Sequence, residues 1–488
     1  MEDKALIKKH IKEELGWAYR DLKWLSEKEA KFATKERKAL LKSLSGKVQY
    51  SFRGDKLHIG KLSPGCLICG QGGWSCLFLN YNTCTANCFF CPRSHSKKNG
   101  NLTVFEGLTL KKPDDYVDLL SKFGYRGVSF SGGEPFLSFE KLLLFIKKIR
   151  KRFNDDMYIW VYTNGDLVTK GKLITLKEAG LNEIRFNIAA RGYDLQSTAL
   201  AAQIINIVTV EIPVIPEDYK IVTESLRKLY EIGVNHLNLH TLVASSDNYH
   251  KLVDRGYTFF HYYNIPVLES DLTALKIIQY AVRNKLNLPI NYCTDPYRVR
   301  FQSKNHRKIT GGFMKGEFEQ ITEAGFLRNL SFVDTPENIK KISRTLSKKS
   351  NNKKLWILNM DKSKIFIHSS LLKYLSFVKK VLITYYEFSF GSKSSATDST
   401  GKEEGVSVTD RIILKKITSF QCSLNSFGMK IFHKLFIEDI STKKTLDYCT
   451  KTYGLTSKND LMKARKAINT IVKNFRTFEH IESGAPFY

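Results

Sequence analysis

The chain has no run of 18 or more apolar residues, which excludes a helix built to span a bilayer. Its most apolar stretches, such as Val381 to Phe390, are strand-length and bounded by charge. The N-terminus, with Lys4, Lys8, Lys9 and Lys12 set among acids, lacks the apolar stretch of a secretory signal. The expectation is therefore a cytoplasmic protein with no membrane partner. In a reducing compartment its cysteines suit metal ligation better than disulfides. Acidic residues are also scarce: 48 Asp and Glu face 77 Lys and Arg, for a net charge of +29. From Arg298 onward about 35 basic residues face about 17 acidic ones. Such a field favours a polyanionic partner, whether RNA, DNA, an acidic peptide or a phosphorylated substrate. The lysines are nevertheless scattered among acids, as on ordinary solvated faces. Internal repeats are absent too. What is present, 488 residues at 42% hydrophobic, is enough for a sizeable core and two or three domains.

Residues 1–45 place Leu6, Ile11, Leu15, Trp17, Ala18, Leu22 and Leu25 at helical spacing among charges, which suits a cap on the main domain in preference to a partner-binding helix pair. Residues 47–63 read as a strand pair turning at Gly54-Asp55. From Trp74 to about Pro296 short strands alternate with helices. The strands expected are Ser75–Asn80, Gly127–Ser131, Met157–Tyr162, Glu183–Ile188, Ile205–Ile212, His236–His240 and Leu288–Tyr292; helices such as Phe139–Phe153, Leu173–Ala179 and Ile221–Ile232 lie between them. That alternation implies an α/β fold, a full or partial parallel (β/α) barrel whose active site opens at the C-terminal strand ends. The expected organisation is an N-terminal helical extension and strand pair over 1–62, the barrel with an auxiliary cysteine site over 63–300, an irregular basic connector over 301–350, and a basic α+β C-terminal domain over 351–488. Within that last domain, Leu355–Leu358 and Ile365–His368 suggest a hairpin. Residues 391–405 suggest a loop. Ser457 with Asp460 suggests the start of a helix striped by Leu461, Ala464, Ile468, Ile471, Val472 and Phe475. A winged-helix-like arrangement is one form the domain could take.

Seven of the nine cysteines fall in two groups. Cys84, Cys88 and Cys91 form a C-x3-C-x2-C loop after the first barrel strand. Three thiolates can hold three irons of a [4Fe–4S] cube and leave the fourth iron open to a ligand. A zinc knuckle or buried free thiols would use the same residues, but further motifs follow in strand-end order. The second group is Cys66 and Cys69, spaced C-x2-C, with Cys76 and the distant Cys293. Four thiolates there would hold a closed auxiliary [4Fe–4S] cluster or a structural zinc, with iron–sulfur preferred. Cys76, at the start of a strand, is also readable as a buried thiol. Cys422 and Cys449 stand alone.

Ser131-Gly132-Gly133-Glu134-Pro135 ends the second strand; its glycines allow close backbone approach, and its carboxylate can pair with an ammonium. Asn164, in Tyr162-Thr163-Asn164-Gly165, can reach a ribose or carboxylate at the barrel mouth. Arg185 and Asn187 share one face by strand alternation and need a ligand or a structural partner there. Glu211, Asn238 and His240 are candidate substrate contacts, each equally readable as a satisfied interior polar residue.

This order of motifs resembles the radical S-adenosylmethionine (SAM) superfamily across residues 63–300, with Phe90 as the aromatic before the last cysteine. More narrowly, Leu62-Ser63-Pro64-Gly65-Cys66, Ala179 to Phe186, Glu211-Ile212-Pro213, Leu237 to His240 and Asn291-Tyr292-Cys293 resemble a little-characterised group related to pyruvate formate-lyase-activating enzyme. That group generally lacks a counterpart of Cys76. The resemblance implies that SAM chelates the open iron by its amino and carboxylate groups and is cleaved reductively to a 5′-deoxyadenosyl radical, which abstracts a hydrogen atom. It implies SAM contacts from Phe90, Gly132, Gly133, Glu134, Pro135, Asn164, Asn187 and the backbone at Ile212, and a flavodoxin- or ferredoxin-type reductase as partner. No cobalamin-binding domain precedes the barrel, so cobalamin-dependent methyl transfer is not expected. Three functions remain open: a radical enzyme acting on a peptide or protein, a radical enzyme modifying RNA, and a non-enzymatic iron–sulfur or nucleic-acid-binding protein.

Overall fold

Apolar strands joined by amphipathic helices build the first part of the molecule. The computed structural model describes residues 4–81, 83–93, 102–350, 352–375, 377–393 and 405–481. Most of the loop expected over 391–405, residues 394–404, lies outside them. The chain divides into two compact units, with the boundary between Asn305 and His306. No described helix is long and apolar enough to cross a membrane.

In the first unit, β1 (Gln49–Ser51) and β2 (Lys56–Ile59) form the expected hairpin. They are followed by α3 (Pro64–Gly70), after the N-terminal helices α1 (Lys4–Leu15) and α2 (Glu27–Leu44). The strands β3 (Trp74–Phe78), β6 (Gly127–Ser131), β7 (Tyr158–Thr163), β8 (Glu183–Phe186), β9 (Ile207–Pro213), β10 (His236–His240) and β11 (Ile290–Cys293) pair in parallel in that order. The short β4 (Val104–Phe105) and β5 (Leu108–Thr109) extend the β3 edge in antiparallel fashion, and β2 pairs antiparallel with β11 at the other edge. The sheet therefore stays open: this is a partial barrel. All seven expected strands are present, with ends shifted by up to two residues.

Alternation along these strands sorts the two faces. Val128, Phe130, Ile159, Val161, Ile184, Val208, Val210, Leu237 and Leu239 are fully buried beneath the helices. Those helices include α5 (Phe139–Phe153), which buries Leu142, Phe145, Ile146 and Ile149, and α8 (Tyr219–Glu231), which buries Val222, Leu226 and Leu229. Each such side chain contributes about 1.5–3 kcal/mol relative to exposure. The other face is polar and lines the barrel interior. Helix α1 acts as the expected cap: Ile7, Ile11 and Leu15 join Leu242, Phe259 and Val267 in one apolar cluster, on which Phe89 and Phe90 rest. Helix α2 starts in a Ser26–Glu29 capping box and is fixed to α9 (Leu268–Arg283) by Arg37–Asp271 at 2.9 Å.

In the second unit, residues expected to form an irregular connector are largely ordered secondary structure. They include α10 (Lys304–Met314), β13 (Leu327–Val333) and α11 (Pro336–Lys349). The physical reason is visible in α11, where Ile339, Ile342 and Leu346 form a buried stripe hidden in sequence by flanking lysines and arginines. Strand β13 is central to a seven-stranded antiparallel sheet with β12 (Gln320–Ile321), β14 (Trp356–Leu358), β15 (Lys364–Ile367), β16 (Lys380–Ser392), β17 (Val406–Ser407) and β18 (Ile412–Asn425). This α+β domain is larger than a winged helix, because β16 and β18 pair over 13 and 14 residues. Its last helix, α14 (Lys458–Glu479), is capped by Ser457 and buries Ala464, Ile468, Ile471 and Phe475 as the sequence stripe requires.

Candidate active site

At the C-terminal ends of the parallel strands lies a cavity of about 320 Å³, within the range of small-molecule sites. Its wall includes Cys84, Cys88, Phe90 and Cys91 after β3, and Gly132, Gly133 and Glu134 after β6. It continues through Asn164 after β7, Arg185 and Asn187 on and after β8, Glu211 and Ile212 on β9, and His240 on β10. Residues scattered over more than 150 positions of sequence thus converge because each stands at the same end of its strand. Pro135 is buried at the start of a short 3-10 turn, and Asn238 lies behind Glu211; neither reaches the cavity wall.

The cysteine loop is fastened to its neighbours by hydrogen bonds. Thr83 accepts from the Glu134 N–H at 2.9 Å, and Asn80 Nδ2 donates to the Glu134 carbonyl at 2.8 Å. A Cβ at Gly133 would overlap the Thr83 carbonyl, so only glycine lets loop and turn meet. The Glu134 carboxylate accepts from Phe136 N–H, Asn164 N–H and Thr163 Oγ1 at 2.8–3.1 Å. Burial pushes its acidity toward the neutral form, against those three donors. Its main work here is to hold the ends of β6 and β7 together, with little acceptor capacity left for an ammonium. Asn164 likewise turns inward: Nδ2 donates to Thr85 Oγ1 at 2.9 Å and lies 3.7 Å from Cys84 Sγ. The sequence reading aimed it at a ribose or carboxylate; in the structure it orients the cysteine loop.

Burial raises all three thiols of that loop, and Cys88 is pushed up to about 12, first by burial and then by repulsion from Cys91 and Cys84. Three neighbouring thiolates are therefore stable only around a cation. An iron–sulfur core supplies one, so this donor set fits the cluster implied by the sequence. Among the described residues no three His, Cys, Asp or Glu side chains gather round a single metal ion. For SAM, the fitting observation is Asn187 Oδ1, a buried acceptor with no hydrogen-bond partner, on a residue of the cavity wall.

The opposite wall is an ionic network. Arg185 donates through Nε to Glu183 Oε1 at 2.8 Å, through Nη1 to Glu211 Oε2 at 2.8 Å and through Nη2 to Ser63 Oγ at 3.1 Å. Glu183 also accepts from Thr209 and Tyr158. Burial alone would lower the guanidinium's affinity for its proton; Glu183, Tyr162, Cys66 and Glu211 together outweigh it and hold the charge firmly. Glu211 accepts from His240 Nε2 at 3.0 Å and Asn238 Nδ2 at 2.8 Å. Burial would raise Glu211, but Arg185 and then His240 hold it well below the usual carboxylate range. Arg185 is thus the structural partner that the sequence reading held as its alternative. Glu211 and His240 are the polar groups it presents to the cavity.

The second cysteine group is divided by the structure. Cys66 and Cys69 lie on α3 and Cys293 on β11; Cys293 and Cys66 both act electrostatically on Cys69, and Cys66 on Cys293. Cys76 sits on β3 opposite Ser129, where burial pushes it up to about 12, and its charged neighbours are Glu106, Arg93 and Glu211. It does not join the other three. Sequence reasoning missed Ser63, which caps α3 by accepting from Cys66 N–H at 3.1 Å. It also missed Arg298 in the cavity wall, and Lys56 and Tyr297 beside the second group. Only Ser63-Pro64 carried a signal, as an N-cap followed by proline.

Among known proteins, the radical SAM superfamily signature matches residues 81–196. A Methanocaldococcus jannaschii protein, provisionally named a glycyl-radical enzyme activating enzyme, is 29% identical over 303 residues, covering 59% of this chain and 78% of its own. Among solved structures, methylornithine synthase is similar with a TM-score of 0.33 and 12% identity, over 59% of this chain and 85% of its own. Coproporphyrinogen III oxidase from Escherichia coli has a TM-score of 0.29 and 12% identity, over 46% and 56%. The partial barrel therefore rests on this chain's own strand order.

Proposed function

The chain is a radical SAM enzyme, and from that premise we propose that its substrate is a polypeptide from which it removes a hydrogen atom. The observation that carries the reading is the similarity to a relative named for activating another enzyme, whose substrate would itself be a protein. A [4Fe–4S] cluster and SAM together supply reductive cleavage of the sulfonium to a carbon radical able to abstract hydrogen. The chain's own residues do the rest. Cys84, Cys88 and Cys91 hold the cluster, and the Ala86 N–H, at 3.5 Å, and Asn164 Nδ2 steady the Cys84 sulfur. Gly132 and Gly133 line the cavity beside it, Asn187 offers its unpartnered acceptor, and the β9 edge at Ile212 flanks the cavity. Glu211 fixes His240 in orientation and keeps a proton donor at Nε2. A flavodoxin- or ferredoxin-type reductase supplies the electron.

RNA is the second reading, favoured by the basic surplus from Arg298 onward. One assay separates them. The reconstituted enzyme is incubated anaerobically with SAM, dithionite and either cellular protein or cellular RNA, and 5′-deoxyadenosine is measured. Stimulation by the protein fraction that protease abolishes supports the polypeptide; stimulation confined to RNA and lost with ribonuclease refutes it. Cys88→Ala is expected to keep the fold and lose deoxyadenosine formation altogether; unchanged formation would sink the cluster assignment.

A further inference from the structure

Behind the ionic network, on the side of the barrel closed by the β1–β2 hairpin, lies a second convergence of unused chemistry. Cys66 and Cys69 occupy one face of α3, three residues apart. Cys66 Sγ lies 3.3 Å from Asn238 Nδ2 and 3.8 Å from Asn291 Nδ2. Cys293 is two residues beyond Asn291 on the same face of β11, so the strand carries its thiol beside Cys66. The antiparallel pairing of Tyr292 with Leu57 then sets Lys56 alongside Cys293.

Three buried groups there lack the partners that burial demands. Lys56 is 1% exposed, and its Nζ lies 3.8 Å from the centre of the Tyr297 ring; among the described residues no carboxylate pairs with it. The Tyr297 hydroxyl and Asn291 Oδ1 have no hydrogen-bond partner, although both residues are more than nine-tenths buried. The Tyr297 hydroxyl abuts Gly70, next to Cys69. An unpaired ammonium and a spare phenolic donor beside three thiols are costly unless an anion sits among them.

We propose that Cys66, Cys69 and Cys293 hold a second iron–sulfur cluster through three thiolates, with Lys56 as its buried counter-charge. A [4Fe–4S] core with three thiolates is a net anion whose sulfurs accept hydrogen bonds. Asn238, Asn291 and the Tyr297 hydroxyl are placed to donate them. A closed structural zinc takes four protein ligands, and the fourth cysteine expected from sequence, Cys76, faces Ser129 instead. The cluster thus has one iron without a cysteine. The site stands independently of how the substrate is read, since none of its donors belongs to the Cys84 loop.

The test uses the full chain carrying Cys84→Ala, Cys88→Ala and Cys91→Ala together, which removes the first cluster. After anaerobic reconstitution about four irons and four sulfides per chain should remain, with an electron paramagnetic resonance signal on reduction and no stoichiometric zinc. Adding Cys66→Ala or Cys293→Ala should abolish that iron; adding Cys76→Ala should leave it unchanged. Loss of iron from the triple variant while circular dichroism shows a native fold overturns the proposal, as does one zinc per chain. Should the Cys66 and Cys293 variants fail to fold, Lys56→Met in the same background decides. It leaves every thiol in place and is expected to shift the reduction potential downward; an unchanged potential refutes the assignment.

Discussion

Replacing Arg185 by methionine tests the central network most directly. Arg185 is 3% exposed and holds two carboxylates, the buried Glu183 and the mostly buried Glu211, each at 2.8 Å. Methionine fills similar volume but leaves both acids facing each other's charge across the barrel. Glu183 keeps Thr209 and Tyr158, and Glu211 keeps His240 and Asn238, so neither acid is stripped of donors. Removing one partner of a buried pair costs about 3–5 kcal/mol, and the surviving hydrogen bonds place this case at the lower end. At roughly 2 °C per kcal/mol for a unit of this size, the melting point should fall by about 6 °C. Thermal melting of the apo-protein, followed by circular dichroism, measures this. Adding Glu211→Gln to Arg185→Met should restore part of the loss, with a coupling of about 0.5–3 kcal/mol. A single variant melting within 2 °C of the parent, about 1 kcal/mol, would refute the reasoning, as would strictly additive effects in the double variant.

Gly133→Ala should disrupt the seating of the cysteine loop and lower iron retention after gel filtration, because its methyl overlaps Thr83. Gly171→Ala, in a helix with open space around it, should instead stabilise by about 0.5–1 kcal/mol in urea unfolding. The folded-state value of Glu211 lies below its ordinary 4.5, so its contribution to stability is complete above that pH and is lost as pH falls through the folded value. The difference in urea midpoint between parent and Glu211→Gln apo-proteins should therefore be largest near pH 7 and shrink below pH 4.5. Asn164→Leu removes a donor near Cys84 Sγ and should lower the first cluster's reduction potential in a redox titration followed by electron paramagnetic resonance.

The barrel was legible because its parallel strands are short apolar runs ending in polar motifs, and strand alternation carried Arg185 and Asn187 to the expected end. What stayed hidden was which partner each polar side chain would choose. Asn164 and Glu134 stand at the cavity as expected, yet their hydrogen bonds run to backbone and to the cysteine loop, a choice set by strand-end spacing that sequence does not encode locally. Cys76 looked like a fourth ligand by proximity to Cys69, but its strand directs it toward Ser129. Lys56 gave no signal at all. A lysine in a short strand reads as solvated until the antiparallel register with β11 buries it. The stripe of α11 was obscured in the same way, by charges at the positions between Ile339, Ile342 and Leu346.

The pairing of β2 with β11 has a consequence for biosynthesis. Residues 56–59 leave the ribosome early, whereas their partner at 290–293 arrives about 230 residues later. At about 5–20 residues per second, the hairpin must wait on the order of ten to fifty seconds with an open edge. The intervening parallel strands can add one after another, each beside the last, but the closing edge cannot form until nearly the whole unit exists. Lys56 and Cys293 are therefore strangers until the chain has been made to residue 293, and the place they share cannot be complete before then.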